Sequence, residues 1–313
     1  MNLAVTIVLV LSATSSTLPG GQAHQKPIST DYTQRSPPPV SAEATSQMEA
    51  RLAEARSRYE AEPNNPETTI WLGRRLAYLG RFTQAIEVYS AGIRKFPRDA
   101  RLYRHRGHRY ITLRQFDLAI TDLQKAASLV KGKPDEVEPD GQPNARNIPT
   151  STLQFNIWYH LGLAQYLSGR YRAALNSYRE CFKVSQSSDS LVATSHWLYM
   201  TLQRLNRPSE AALAVRRIKH DLDIIENDGY YKLVLMYKGL LSSESLLAET
   251  LKLPESAASH SVLYGLANWH LYHGRQDEAI ELFRRITTTN QWTSFGYVAA
   301  EAELKRFGNV RTK

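Results

Sequence analysis

A 34-residue period constrains the fold of this 313-residue chain more than any other feature of its sequence. Gly73 and Gly107 lie 34 positions apart, and so do Ala85 and Ala119. Around each pair, a small residue in one segment is followed by a turn, and then by Ala and an aromatic residue or Leu in a second segment. Such a period is typical of stacked helical hairpins, because one hairpin cannot bury its apolar face alone. The pattern predicts an all-α solenoid.

The period continues to the end of the chain with one interruption. A third copy around Gly162 follows the second by 55 residues, which is 34 plus an insertion of 21. The Pro-, Gly- and acid-rich stretch 131–151 supplies that insertion. Weaker copies and a clear last one at Ala279 give about six units. We therefore expect a solenoid over 47–306 that opens with a helix at 47–61, and a flexible tail over 307–313.

The spacing resembles the tetratricopeptide repeat, a 34-residue helix-turn-helix, across residues 66–288. The resemblance implies a right-handed superhelix with a concave groove, closed by a capping helix at about 294–305. The second half, from Tyr231-Lys232-Leu233 to Leu304, also looks like the C-terminal half of the NlpI-type bacterial envelope adaptors. Those proteins bring a protease and peptidoglycan hydrolases together, so this narrower resemblance implies an adaptor.

The tetratricopeptide resemblance also implies which side chains line the groove, because the first helix of each unit presents fixed positions to the concave face. Tyr and Arg are frequent contact residues in such linings, since they bind with little loss of entropy per area. In this sequence the implied partner-binding residues are Arg74, Tyr78, Arg101, Arg104, His108, Asn156, Tyr159, Tyr166, His196, Met200, Arg204, Tyr264, Asn268 and Tyr272. Packing between helices is the alternative role for several of the tyrosines.

The sequence offers no constellation for catalysis, metal binding or a cofactor. No Gly-x-Ser-x-Gly nucleophile motif or clustered phosphate-binding glycines occur. The single Cys181 falls at a small packing position of its unit, where a buried thiol acts as a small hydrophobe. The pairs His105/His108 and His270/His273 have one-sided helical spacing but no acidic ligand beside them. We predict a non-enzymatic protein without cofactor or metal.

Charge is unevenly distributed over the chain, whose net charge is +9. Between Arg94 and Arg114 lie eight basic residues and the single acid Asp99. The insertion has the opposite sign, with four acids at Asp135, Glu136, Glu138 and Asp140. We expect this loop to lie over Arg101, Arg104 and Arg109. The stretch at 94–114 is then either a solvated helix partly neutralised by the loop or a dock for an acidic ligand.

The N-terminus predicts export. Residues 3–11 form an apolar run too short to span a bilayer, and Gly21-Gln22-Ala23 provides small residues for cleavage. We expect a signal peptide at 1–23 and a disordered Ser-, Thr- and Pro-rich tether at 24–46. The mature protein would be periplasmic or secreted, without stable membrane insertion. A translation start at Met48 would instead place the protein in the cytosol.

These patterns favour an interaction scaffold that binds a peptide or partner segment, with acidic residues, in its concave groove. The alternative is a binding protein for an anionic cell-envelope polymer or other acidic ligand, attached through the basic stretch at 94–114. Nucleic acid is not an expected partner for an exported protein.

Overall fold

The computed structural model describes residues 31–311, with side chains up to Gly308. Contacts divide the chain into units Met1–Asp31 and Tyr32–Lys313. The predicted signal peptide and residues 24–30 of the tether lie outside the described residues. Fourteen helices form the described part: α1 Ala42–Ala61, α2 Pro66–Tyr78, α3 Phe82–Lys95, α4 Ala100–Thr112, α5 Phe116–Val130, α6 Leu153–Leu167, α7 Tyr171–Val184, α8 Ser188–Arg204, α9 Pro208–Arg216, α10 Asp228–Tyr237, α11 Ser243–Thr250, α12 Ala257–Tyr272, α13 Gln276–Thr287 and α14 Phe295–Arg311.

Helices α2 to α13 form six consecutive hairpins, which confirms the all-α solenoid class. We call α2, α4, α6, α8, α10 and α12 the first helices. Each hairpin turn contains one residue with positive φ, at Gly80, Arg114, Gly169, Asn206, Gly239 and Gly274. Glycine adopts a positive φ without strain, whereas Arg114 adopts it at a cost in conformational free energy. Arg114 is held there by an ion pair of its Nε to the Glu301 carboxylate at 2.8 Å.

Small residues on the first helices allow close packing within the first three hairpins, at the register that the period predicts. A Cβ at Gly73 would lie 2.3 Å from the ring of Tyr89, and one at Gly162 would lie 2.7 Å from that of Tyr178. At Gly107 it would lie 2.8 Å from Leu123. The aromatic and Leu side chains therefore occupy the space that the glycines leave open.

The ends of the solenoid differ from expectation. Helix α1 begins at Ala42, five residues before the predicted start, because Ser41 caps it by accepting a hydrogen bond from the Ala44 amide at 3.1 Å. Helix α14 runs to Arg311, so the flexible tail predicted for 307–313 is wrong at least as far as the described residues go. Phe307 packs on Phe283 with ring centroids 6.4 Å apart, which extends the apolar contact of this helix.

Residues 32–37 form a strap, where the sequence predicted a disordered tether. The ring of Tyr32 is buried, 3.9 Å from the Arg114 guanidinium and 5.8 Å from the ring of Trp292. The Trp292 Nε1 donates a 2.7 Å hydrogen bond to the Ser36 carbonyl. Scattered aromatic and basic residues in a polar segment gave no periodic signal, yet they anchor the strap to the turn of the second hairpin and to the connection between α13 and α14.

The insertion loop covers residues 131–152, between α5 and α6. Its base is fixed by Asp135, whose carboxylate accepts hydrogen bonds from the Thr152 hydroxyl at 2.6 Å and the Gln154 amide at 2.9 Å. Its far side is tied to Glu226 by Asn144 and Thr150, both at 2.8 Å. Among residues 31–311, no helix is long and apolar enough to cross a membrane.

We predict that Gly162→Ala destabilises the protein by about 1 to 3 kcal/mol, because the added Cβ meets the ring of Tyr178 in a closely packed hairpin. Gly308→Ala is the matched control, since a Cβ there would meet no described heavy atom within 4 Å outside its own helix. Alanine should favour that helix by about 1 kcal/mol. Denaturant unfolding of the two variants provides the comparison. Equal stabilities would contradict the hairpin packing.

Candidate functional site

Most residues predicted to line an open groove are instead buried, some under the chain's own C-terminal helix and others under the insertion loop or neighbouring helices. Helix α14 lies along the face that the first helices share, where its Phe295 contacts His108, His160 and Tyr159. The buried members of the predicted set are Arg74, Arg104, Asn156, Tyr159, Tyr166, His196, Met200, Tyr264 and Asn268. The expectation of an open groove is therefore wrong for the third and later units. Polar and aromatic side chains in such a lining can pack against a helix of the same chain as well as against a partner protein.

The carboxylate of Glu303 anchors α14 to this face. Only 1% of this residue is exposed, and its Oε1 lies 2.7 Å from Arg204 Nη2 and 2.8 Å from Arg306 Nη1. The Tyr264 hydroxyl donates to the same oxygen at 3.2 Å. A buried charge is tolerated when it is paired and hydrogen-bonded, as here. Arg204 and Tyr264, both predicted as partner contacts, are thus bound by the chain itself.

The remaining predicted residues of the middle units form an internal hydrogen-bonded layer. The Tyr159 hydroxyl accepts from Trp197 Nε1 at 2.8 Å. Asn268 Oδ1 accepts from Arg204 at 2.7 Å and from the Tyr272 hydroxyl at 3.0 Å. His196 Nδ1 lies 3.1 Å from the Tyr237 hydroxyl. These side chains are thus bonded to one another rather than presented to a partner, although the buried His196 Nε2 has no hydrogen-bond partner among the described residues.

The basic stretch at 94–114 does not form one exposed patch, because its arginines are distributed among separate carboxylates. Arg101 contacts Asp99 at 2.7 Å and Glu67 at 2.6 Å. Arg106 contacts Asp122 at 2.7 Å. Our expectation that the acidic loop covers Arg101 is wrong, since the neighbouring first helix supplies its partner. Neither sequence interpretation, a solvated helix or one binding site for an acidic ligand, predicted that the arginines would pair with separate carboxylates.

The loop does reach Arg104, as predicted. Glu138 Oε1 lies 2.9 Å from Arg104 Nη2, and both side chains are largely buried. Asn156 Nδ2 donates to the other carboxylate oxygen at 3.2 Å. Three residues further along, Gly141 packs so closely on Tyr78 that a Cβ would lie 1.7 Å from the hydroxyl oxygen. Its carbonyl accepts from Arg75 Nη1 at 3.0 Å.

Beneath the loop lies a cavity of about 130 Å³, which we call the arginine cavity. Its charged lining residues are Arg74, Arg104, Arg109 and Glu138. Neither Arg74 nor Arg109 has a carboxylate within 4 Å among residues 31–308. Arg74 Nε donates to the Tyr78 hydroxyl at 3.3 Å, and the Arg109 guanidinium lies 5.7 Å from the ring centroid of Phe82. Burial lowers the pKa of Arg109 to about 10, so its guanidinium stays protonated at neutral pH.

The histidines of the site are neutral. Burial lowers the pKa of His105 and His108 well below the ordinary value, and the nearby Arg104 and Arg109 lower it further. The described residues contain no group of three or more His, Cys, Asp and Glu side chains placed to hold a metal ion. Cys181 is buried against Thr194, and burial raises the pKa of its thiol to about 12. A thiol in this state is a packing group.

Sequence reasoning missed two members of the site. Arg109 was expected beneath the loop but was not included among the partner-binding residues, although its spacing from Arg104 and His105 on α4 places all three on neighbouring turns. Trp71 was not singled out, yet Arg74 and Arg75 stack on its ring at 4.5 and 4.8 Å. The Arg-Arg pair three and four residues after a Trp was the available signal.

Family models of the tetratricopeptide repeat match residues 72–136 and 155–188, so these hairpins carry tetratricopeptide repeats. No curated protein matches the chain. Among solved structures, MamA AMB-1 is 16% identical, with 56% of this chain and 93% of that chain covered and a TM-score of 0.41. YrrB, described as a TPR protein with an unusual peptide-binding site, is 12% identical, with coverage of 80% and 97% and a TM-score of 0.43. Neither the family models nor these structures support the narrower likeness to NlpI-type adaptors.

We predict that the protein loses stability as pH falls from about 6.5, because its buried histidines stay neutral while the unfolded chain binds protons. Burial lowers the pKa of His196 to about 3 and that of His160 well below the ordinary value. Each such histidine contributes about 1.4 kcal/mol per pH unit between its two pKa values. Denaturant unfolding at pH 7.5, 6 and 5 measures the slope.

His196→Gln should reduce this slope by about one proton, since Gln does not titrate. The matched control is His220→Gln, because His220 lies on an exposed turn after α9. A stability that is constant from pH 7.5 to 5 would contradict the neutral, buried state of these imidazoles.

Proposed function

We propose that the protein is a non-catalytic scaffold that binds an acidic segment of a partner protein on the first-helix face of its first two hairpins. The tetratricopeptide repeats support an interaction scaffold in general. The observation that carries the finer proposal is the way in which the shared face is covered. Helix α14 covers it in the later hairpins, whereas only the insertion loop covers Arg74, Tyr78 and Arg104.

The two covers differ in how they can be removed. Helix α14 packs on α12 and α13 and carries buried apolar residues such as Tyr297, Val298 and Ala299. Its displacement would expose a large part of the core. The loop contributes mainly polar contacts to the first-helix face, and its Glu136 and Val137 are exposed. A ligand could therefore replace the loop there without unfolding a helix.

The chemistry of the covered surface favours an acidic segment. Glu138 already places a carboxylate on Arg104, so it marks the position where an acidic side chain of a partner would bind. Trp71 and Tyr78 lie beside Arg74 and Arg75 and would contribute aromatic contact area next to the charges. In this proposal Arg74, Tyr78 and Arg104 keep the partner-binding role that the sequence predicted for them, whereas His108 packs against Phe295 of α14.

Binding of an anionic polymer through the stretch 94–114 is the less favoured function, because the arginines there are already shared among separate carboxylates. We further propose that the protein acts outside the cytosol. The apolar run at 3–11 and the small residues before His24 are the features that support export. Sequencing of the native N-terminus tests that part.

We predict that Glu138→Gln strengthens binding of an acidic peptide several-fold, because the substitution removes the resident charge that competes for Arg104. Glu136→Gln is the matched control in the same loop, since that side chain is exposed and contacts no arginine. Asp135 should stay intact, because it caps α6. The gain should shrink at 1 M salt, where the Debye length is about 3 Å. Fluorescence anisotropy with a labelled Glu- and Asp-rich peptide measures the affinity.

Gly141→Ala opens the same surface without a change of charge, because the added Cβ collides with the Tyr78 hydroxyl. It should also strengthen peptide binding. If Glu138→Gln and Gly141→Ala bind the peptide no better than Glu136→Gln, the loop is a fixed part of the fold and the proposal fails.

A further inference from the structure

The arginine cavity carries more positive charge than the chain itself compensates. Its lining contains three guanidiniums and one carboxylate, which is 3 minus 1, or +2. The two lining histidines add nothing at neutral pH, because burial keeps them uncharged. Asp140, two residues beyond Glu138, is not among the lining residues and forms no ion pair with a described arginine, although Arg74 opposes the rise that burial causes in the pKa of its carboxyl. The lining residues themselves therefore leave two positive charges without an ion-paired carboxylate in a partly closed site.

Arg104 shows that the deficit extends to hydrogen bonding. The residue is 8% exposed, its Nη2 contacts Glu138 and its Nη1 lies 3.0 Å from His105 Nδ1. Its Nε is buried and has no hydrogen-bond acceptor among the residues that the structure describes. Buried donors are nearly always satisfied in folded proteins, so an orphaned one in a cavity wall indicates a missing acceptor.

We infer that the arginine cavity binds a phosphoryl dianion, as inorganic phosphate or as a phosphate monoester, between Arg74, Arg104 and Arg109. This site exists while the loop is seated and no partner occupies Arg104, so it goes beyond the function proposed above. Glu138 remains seated and closes one side of the cavity.

Charge and shape select this class of ligand. A single carboxylate would leave one of the two uncompensated charges, whereas a dianion neutralises both. Guanidinium groups present planar arrays of N–H donors that match the oxygens of phosphate. A cavity needs only about 10 to 15 Å³ to hold one water molecule, so about 130 Å³ admits a tetrahedral oxyanion. A long polymer exceeds the size of the site, and a bare metal cation has the same sign as its lining.

The test is a titration of the full chain with inorganic phosphate at constant ionic strength. Calorimetry measures the binding, and thermal unfolding measures the effect of phosphate on the melting temperature. We expect saturable binding that raises the melting temperature. Sulfate, which has the same charge and shape, should compete, and acetate should not. Absence of saturable binding, or equal effects of acetate and phosphate, would overturn the inference.

Arg109→Met is the diagnostic variant, since Arg109 has no described carboxylate partner to lose. We expect at least a tenfold weaker affinity for phosphate. Without phosphate the variant should melt at the same temperature as the parent or higher, because a partly buried cation without an ion-pair partner has been removed. Arg109→Lys keeps the charge, so its affinity for phosphate should lie between that of the parent and that of Arg109→Met. Arg94→Met is the matched control, because Arg94 is exposed on α3 and should leave phosphate binding unchanged.

The same titration with a short phosphoserine peptide separates the two sources of the ligand. Competition by the peptide would show that the cavity admits a phosphorylated side chain, and binding of inorganic phosphate alone would show a site for the free ion. If Arg94→Met loses as much affinity as Arg109→Met, phosphate binds to the surface generally and the inference fails. None of these measurements needs a partner protein, so their failure would not affect the proposed scaffold function.

Discussion

The ion-paired carboxylate of Glu303 holds together the parts of this structure that the repeats alone would leave apart. It contacts Arg204 at the end of α8 and Arg306 in its own helix, and Arg306 in turn donates to the carbonyls of Tyr166 and Leu167 at the end of α6. Removing one partner from such a buried pair typically costs about 3 to 5 kcal/mol, since a bare charge is left behind. Helix α14 is thereby fixed to the face that a solenoid would otherwise present to ligands.

This closure changes what the tetratricopeptide repeats offer for binding. Arg204 and Tyr264 of the later hairpins bind Glu303 of α14, and α6, which also packs on α5 and α7, buries 13 of its 15 residues. A helix buried on all sides has no face for a partner. Only the first two hairpins retain a polar, cationic surface under a removable cover. Function is therefore concentrated at one end of the solenoid, where the acidic insertion and the arginine cavity meet.

The sequence predicted the repeats well, because glycine and aromatic spacing reports packing within a hairpin. Gly73, Gly107 and Gly162 all lie where their spacing placed them, against Tyr89, Leu123 and Tyr178. Contacts between segments that are distant along the chain produce no periodic pattern in the sequence. The strap and the burial of the groove could therefore not be predicted from residue spacing. Tyr32 contacts Arg114 and Trp292 across more than 80 and 250 positions respectively. The pairing of Glu138 with Arg104 could be predicted, because the acidic insertion follows the basic stretch along the chain.

The central claim is that α14 is an integral part of the fold while the acidic loop is a removable cover. Hydrogen exchange of the intact protein, measured by mass spectrometry, tests this claim directly, because the exchange rates report local opening in each segment. We expect amides in the middle of α14, around Val298 to Glu303, to exchange only through global unfolding. Amides of the loop between Glu138 and Ile148 should exchange far faster, and an acidic peptide should accelerate their exchange further. Rapid exchange in α14 together with a protected loop would contradict the account.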